Sequence, residues 1–285
     1  MPGTIQELIG LFDLEVLDVN LFRGTQPSTG LPRVFGGQVA AQALVAATNT
    51  ATEGFVAHSL HSYFLLPGDP EVPIVYDVER LRDGRSFGTR RVVARQHGRP
   101  IYYQTVNFQK PESGLEHQDV MPEGLGPEES LSMADILRMR GVSGAERWER
   151  EWAALDVRYA GTSTIGLPED PEHPARARIW MRVAGTLPDE AIAHQAAFTY
   201  ASDLTLLGAS LLPHGVNLAS PGMQIASLDH SIWFHQPFAA DKWWLYDQVS
   251  PVAHGGRGLA LARVFTQDGT LVATTAQEGL IRRRD

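Results

Sequence analysis

The 285-residue chain contains no cysteine, which removes disulfides, thiolate metal sites and a cysteine nucleophile together and fits a reducing compartment. Long apolar runs are missing as well. The most apolar stretch, residues 39–47, is interrupted by Gln42 and is too short to cross a bilayer, so no membrane span is expected. Residues 1–11 show no basic segment followed by an apolar one, which argues against a secretory signal. Arg282-Arg283-Arg284-Asp285 does not spell the Ser-Lys-Leu type of peroxisomal address. Positive charge is scarce: 24 Lys and Arg face 33 Asp and Glu, a net charge of -9. An extended nucleic-acid surface would need the opposite balance. A cytoplasmic place of work with no nucleic-acid partner is the expectation. What the chain does have is ordinary globular material, 43% hydrophobic and 20% charged. It is long enough for two domains, or for one large domain built from two similar halves.

Self-similarity favours the halves. A helical run of small residues at 37–47 has a counterpart at 194–204, aligned by Gln38 and Gln195. Each is followed by a serine-led β-type run, at 59–64 and 227–234, and then by a proline-containing turn. Residues 74–82 and 86–96 flank Asp83-Gly84, a strong hairpin signal, and His97-Gly98 leads into 101–108. The second half repeats this plan with 243–249, Gly255-Gly256, 259–266, Asp268-Gly269 and 271–276. Each half reads as one long helix plus an antiparallel meander. Residues 198–212 are apolar all round, so that helix should be buried with the sheet wrapped over it.

Between the halves, residues 110–130 are rich in Pro, Glu and Gly and read as a linker. Residues 133–155 carry helical patterning, with Trp148 and Trp152 four apart, and predict an excursion packed on the core. Arg176–Val183 reads as the first strand of the second unit. The organisation expected is residues 1–110, a linker with excursion at 111–175, and 176–285.

These stretches also carry a resemblance. Asn20-Leu21-Phe22-Arg23-Gly24, Arg33-Val34-Phe35-Gly36-Gly37-Gln38, His61-Ser62-Tyr63-Phe64 and Pro67-Gly68-Asp69-Pro70 resemble the acyl-CoA thioesterase II family. So do Asp83-Gly84-Arg85-Ser86-Phe87, Ala201-Ser202-Asp203, Leu228-Asp229-His230-Ser231-Ile232-Trp233-Phe234-His235 and Gln277-Glu278-Gly279-Leu280. The match runs along nearly the whole chain. It implies an α+β double hotdog fold, two repeats each of a long buried helix wrapped by an antiparallel sheet, which agrees with the repeat. It further implies an acyl-CoA substrate, no cofactor or metal, and a homo-oligomer, dimer or tetramer.

Thioester hydrolysis needs an activated water and donors for the oxyanion. Asp203 stands in a nearly all-apolar helix, where an ionised carboxylate must be hydrogen-bonded; its twin, counted from the aligned glutamines, is Ala46. Read alone, Asp203 is either a catalytic acid or a turn cap paired with an arginine. The resemblance implies an Asp, a Thr and a Gln that polarise the attacking water. Asp203 and Gln277 match the first and third. Ser227 stands in the second place, keeping the hydroxyl and losing the methyl that stiffens χ1. The second half is thus expected to carry the chemistry, with Ser59 at the strand start equivalent to Ser227 and Asn107 near the equivalent of Gln277. A backbone N–H at a helix start is expected to hold the oxyanion.

Other motifs carry less. Gly84-Arg85-Ser86-Phe87-Gly88 spells a nucleophile elbow but joins strand to strand rather than strand to helix. Asp229-His230-Ser231 has triad letters, yet strand neighbours point to opposite faces; Asp229, sharing a face with Ser227, is the reserve carboxylate. His58 and His61 would diverge and read as packed histidines. Arg80, Arg82, Arg85, Arg90, Arg91 and Arg257 suit either CoA phosphates or a charged sheet edge. A hotdog enoyl-CoA hydratase or a non-catalytic acyl-CoA binding protein are the alternatives. The first needs a His beside Asp203, and His194 lies too far along the helix.

Overall fold

The computed structural model describes residues 1–139, 141, 143–161, 174–218 and 220–284. The chain opens with helix α1, Ile5–Phe12, capped by the Thr4 hydroxyl on the Glu7 N–H. Strands β1, Glu15–Asp18, and β2, Leu21–Gly24, precede helix α2, Gly36–Thr48. Then come β3, Val56–Phe64, β4, Ile74–Asp83, β5, Phe87–Gln96, and β6, Arg99–Gln109. The excursion gives β7, Leu131–Ser132, α3, Met133–Met139, α4, Ala145–Glu151, and β8, Leu155–Tyr159. The second half follows with β9, Arg176–Val183, α5, Ala191–Ser202, a 3-10 helix at Leu206–His214, β10, Met223–Ser227, and β11, Asp229–Phe234. It ends with β12, Trp244–His254, β13, Arg257–Thr266, and β14, Leu271–Arg283.

All strands join one antiparallel sheet, in the order β1-β2-β4-β5-β6-β3-β11-β14-β13-β12-β9-β8-β7, with β10 also on β14. The order β2-β4-β5-β6-β3 is mirrored by β9-β12-β13-β14-β11, so the halves repeat each other and meet at the β3–β11 pair. The hairpin signals hold: His97 and Gly98 (φ 49 and 72), and Gly255 and Gly256 (φ 59 and 74), adopt the left-handed backbone that two-residue hairpins require. Gly84 lies in a strand-to-strand turn, its N–H bonded to the Phe87 carbonyl, so the elbow-like motif is a hairpin.

Helices α2 and α5 lie together inside the sheet. Every residue from Gly37 to Ala47 is buried, and small side chains let the strands approach closely. The two buried amides of α2 are satisfied: Gln42 Nε2 donates to the Leu11 carbonyl at 2.8 Å and its Oε1 accepts from Tyr76, while Gln38 donates to Gln26. The expected continuous helix over 198–212 is interrupted. α5 ends at Ser202, and the chain resumes as the 3-10 helix, which runs through Pro213 to His214 and is stopped by Gly215 in the left-handed region (φ 64). Asp203 is therefore the C-cap of α5 rather than a residue inside a helix.

The linker is fastened down. Gln118 bonds the backbone of Gly269 and Leu271, Asp119 pairs with Arg263, and the Leu125 carbonyl accepts from the Trp180 indole. Within the following segment Trp148 stacks on Trp152, and Trp152 lies edge-on to Phe35. Positions 140 and 142 within it, and 162–173 beyond it, lie outside the described residues. No helix among the described residues is long and apolar enough to cross a membrane.

Register corrects the expected pairing of positions between the halves. β3 and β11 end at Phe64 and Phe234, and β4 and β12 begin at Ile74 and Trp244. Counting back places Ala57, not Ser59, opposite Ser227 in the repeat, and Ser59 opposite Asp229. Arg90 pairs with Val106 where Ala260 pairs with Gln277, so the twin of Gln277 is Val106, the residue beside Asn107. The second half carries thirteen more residues between helix and strand than the first, so an alignment of the helices does not carry over to the strands.

Candidate active site

Three elements deliver one polar cluster. Asp203 Oδ1 accepts Gln277 Nε2 at 2.5 Å and Ser227 Oγ at 3.1 Å, and Gln277 Nε2 also reaches Ser227 Oγ at 3.1 Å. The three residues singled out in the sequence thus meet on a single carboxylate oxygen, from the end of α5, the end of β10 and the middle of β14. Gln277 is fully buried, and its Oε1 has no partner among the described residues. Asp203 keeps some contact with solvent while protein atoms crowd it.

The opposite side of the carboxylate faces the first half. A side chain at Gly36 would bring its Cβ 2.6 Å from Asp203 Oδ2, and the Gly37 N–H hydrogen-bonds the carboxylate. Phe35, the N-cap of α2, offers no capping side chain, so the first amides and the positive end of α2 are left for an anion. Arg33 adds positive field, while its Nη2 holds the Ile225 carbonyl of β10 at 2.7 Å. Burial nevertheless wins. Desolvation raises the carboxyl from its ordinary 3.8 to about 6, against the downward pull of Gln277, Ser227, Gly37 and Arg33.

Sequence reasoning gave no role to Arg33, Gly36 or Gly37, although two successive glycines opening a buried helix signal a close approach. It also misplaced Asp229. β10 pairs Ser227 with Gly279, whereas β11 pairs Ser231 with Ala276, a one-residue slip at the break around Leu228 that switches faces. Asp229 therefore turns away and accepts the Glu278 N–H at 2.7 Å, leaving the reserve role void, and His230 turns inward instead. His194 sits at the far end of α5, accepting the Ala240 N–H, so it stands apart from Asp203.

Several of the other polar residues singled out in the sequence have protein partners. Arg90 is 1% exposed and donates to the Thr50 carbonyl and to Asp83. Arg91 pairs with Glu79 and Arg257 with Glu278. His58 packs edge-on to Phe87, and His61 contacts Ser231 and Trp233. Among the described residues no group of three His, Asp or Glu side chains is placed to hold a metal. A cavity of about 610 Å³ lined by Met1, Leu11, Thr25, Gln26 and Arg150 lies beside α1 and includes none of the three clustered residues.

Comparison with known proteins agrees with this architecture. Residues 172–280 match the family model described as acyl-CoA thioesterase, and residues 23–109 the one described as acyl-CoA thioesterase N-terminal domain. The chain is 41% identical over 283 residues to acyl-CoA thioesterase 2 of Haemophilus influenzae, covering 99% of both chains. It is 38% identical to acyl-coenzyme A thioesterase 8 of Homo sapiens, covering 99% of this chain and 91% of that one. The crystal structure of an acyl-CoA thioesterase II from Mycobacterium marinum superposes with a TM-score of 0.82 at 41% identity, over 98% of each chain. A double hotdog sheet and near full-length identity on this scale place the chain in the acyl-CoA thioesterase II family, as an acyl-CoA thioester hydrolase.

Proposed function

We propose that the enzyme cleaves fatty acyl-CoA by direct attack of a water held by Asp203, Ser227 and Gln277. Asp203 Oδ2 removes the proton as the water oxygen bonds to the thioester carbon, and the carbon–sulfur bond then breaks. The proton passes from Asp203 to the departing CoA thiolate. The observation that carries this reading is the convergence of the three side chains on one carboxylate oxygen, which leaves Oδ2 and Gln277 Oε1 without a side-chain donor between them. The Gly36 amide, at the start of α2, is the candidate oxyanion donor. Catalysis then belongs to the unit spanning 176–285, with one helix end lent by residues 1–110. A cytoplasmic place of work and an even-numbered homo-oligomer go with this reading as family expectations.

The test is free-thiol release across acyl-CoA chain lengths and pH. Because the base is ionised Asp203, kcat/KM should fall tenfold per pH unit below about 6. Arg33→Gln removes a charge that favours the ionised form, so its acidic limb should move to higher pH. A limb near the ordinary carboxyl value, unmoved by Arg33→Gln, would count against Asp203 as the base. Direct attack also predicts that the intact mass of enzyme quenched during turnover is that of the free protein. Ser227 Oγ gives its proton to a carboxylate, and among the described residues no histidine hydrogen-bonds it; an acyl adduct on Ser227 or Ser86 would replace this mechanism with a covalent one.

A further inference from the structure

Immediately before the acid, Ser202 is held at both of its polar ends. Its Oγ donates to the Thr199 carbonyl at 2.9 Å and lies 2.8 Å from His230 Nε2. Its carbonyl accepts from Tyr246 Oη at 3.1 Å, which also contacts Thr275 Oγ1 at 2.8 Å. A serine hydroxyl has one proton. With that proton on Thr199, the contact to His230 requires the imidazole to donate from Nε2, so Nδ1 is the unprotonated nitrogen. Nδ1 has no partner among the described residues and His230 is fully buried, and an unpaired lone pair there is less costly than an unpaired N–H. The His230 carbonyl is itself fixed by Ser62 Oγ of β3 at 2.7 Å.

The repeat supplies an independent observation. Where the second half has Asp203, Ser202 and His230, the register places Ala46, Val45 and Leu60 in the first, the last two buried hydrophobics. At these positions the half without the acid carries Val45 and Leu60, both members of the same buried apolar cluster. A polar clamp is therefore not what the fold needs at this place; it accompanies the carboxylate.

We propose that His230 is a positioning residue: as the neutral Nε2–H tautomer it clamps Ser202 and thereby fixes the last turn of α5, which aims Asp203 at Gln277 and Ser227. The inference rests on the reading of Asp203 as the base. His230 touches neither substrate nor water, and its effect passes through Ser202.

The experiment compares the full-length His230→Leu, His230→Gln, Ser202→Ala and Asp203→Asn enzymes. Leu copies the twin position and should leave the protein folded while lowering kcat by about 10- to 100-fold at unchanged KM, as expected for a misaimed base. Gln places an amide N–H near the position of Nε2 and should recover most of the lost kcat. Combining His230→Leu with Ser202→Ala should lower kcat no further than either change alone, because both break the same contact. In the unmodified enzyme, the ¹⁵N signals of His230 should report the Nε2–H tautomer at neutral pH. Full kcat in a folded His230→Leu enzyme, a rise in KM alone, or an Nδ1–H tautomer would each overturn the role. Asp203→Asn separates the two levels: if it keeps full turnover, the base assignment falls and takes the clamp's purpose with it. If it is inactive while His230→Leu is not, only the clamp falls.

Discussion

Asp203→Asn should lower kcat by roughly 10²–10⁴-fold, the range for loss of a general base, in a protein that still folds. The substitution keeps the shape and leaves Oδ1 able to accept from Gln277 and Ser227, but removes the proton acceptor. A second consequence separates a base from a bystander. Folding raises this carboxyl from 3.8 to about 6, so between those values the folded state holds the proton more tightly than the unfolded chain. Stability must therefore fall as pH rises from about 4 to about 6, by about 3 kcal/mol for a shift of about two units. Asn has no such slope. Denaturant unfolding at pH 4 and pH 7 should show the variant gaining stability relative to the parent at the higher pH. Equal pH dependence in both proteins would mean that Asp203 is not a strained, desolvated carboxylate.

Gly37→Ala should be the most damaging small substitution in the core. A Cβ at this position would sit inside the van der Waals contact of the Tyr200 backbone carbonyl and against the Phe35 ring. Neither a helix carbonyl nor a ring edge-on to Tyr200 can swing aside, so α2 and α5 would have to part. Overpacking of this kind costs about 1–3 kcal/mol or more, read as a fall of several degrees in Tm. Gly36→Ala should act differently. Its Cβ would meet Asp203 Oδ2 at 2.6 Å and Phe64 Cε1 at 2.8 Å, both side-chain atoms, so turnover should suffer more than stability. Gly10→Ala is the control: it is an exposed position of helix α1 with nothing within 4 Å and should stabilise by about 0.5–1 kcal/mol. A Gly37→Ala enzyme as stable as the Gly10→Ala control would show that the two helices are not in tight contact.

Much of this was legible from residues alone. The hairpins announced themselves through Asp83-Gly84, His97-Gly98 and Gly255-Gly256, because left-handed backbone restricts which residues fit. The repeat was visible because two buried helices share a small-residue pattern and an aligned glutamine. Asp203 stood out as a charge among apolar neighbours, while Ser227 and Gln277 needed the family resemblance, since a hydroxyl and an amide in a strand carry no distinctive local signal. What escaped was register. A one-residue break at Leu228 reverses which side chains face inward, exchanging Asp229 for His230, and an insertion before β10 slides Ser59 off its apparent partner. Neither changes hydrophobic periodicity enough to be seen along the chain. The share of the first half in the site escaped for a related reason: Gly36 and Gly37 act through backbone amides and through the lack of a side chain.

The mirrored strand order has a bearing on stoichiometry. Two helices packed in one sheet offer two helix starts and two helix ends, and so two places where a carboxylate could be set before an amide. At the second place the positions of the acid, the hydroxyl and the amide are taken by Ala46, Ala57 and Val106, none of which can hold or move a proton. On the reading proposed above, the chain is two folding repeats and one catalytic equivalent. A tight-binding thioester analogue would saturate the enzyme at one molecule per chain, whatever the number of chains assembled.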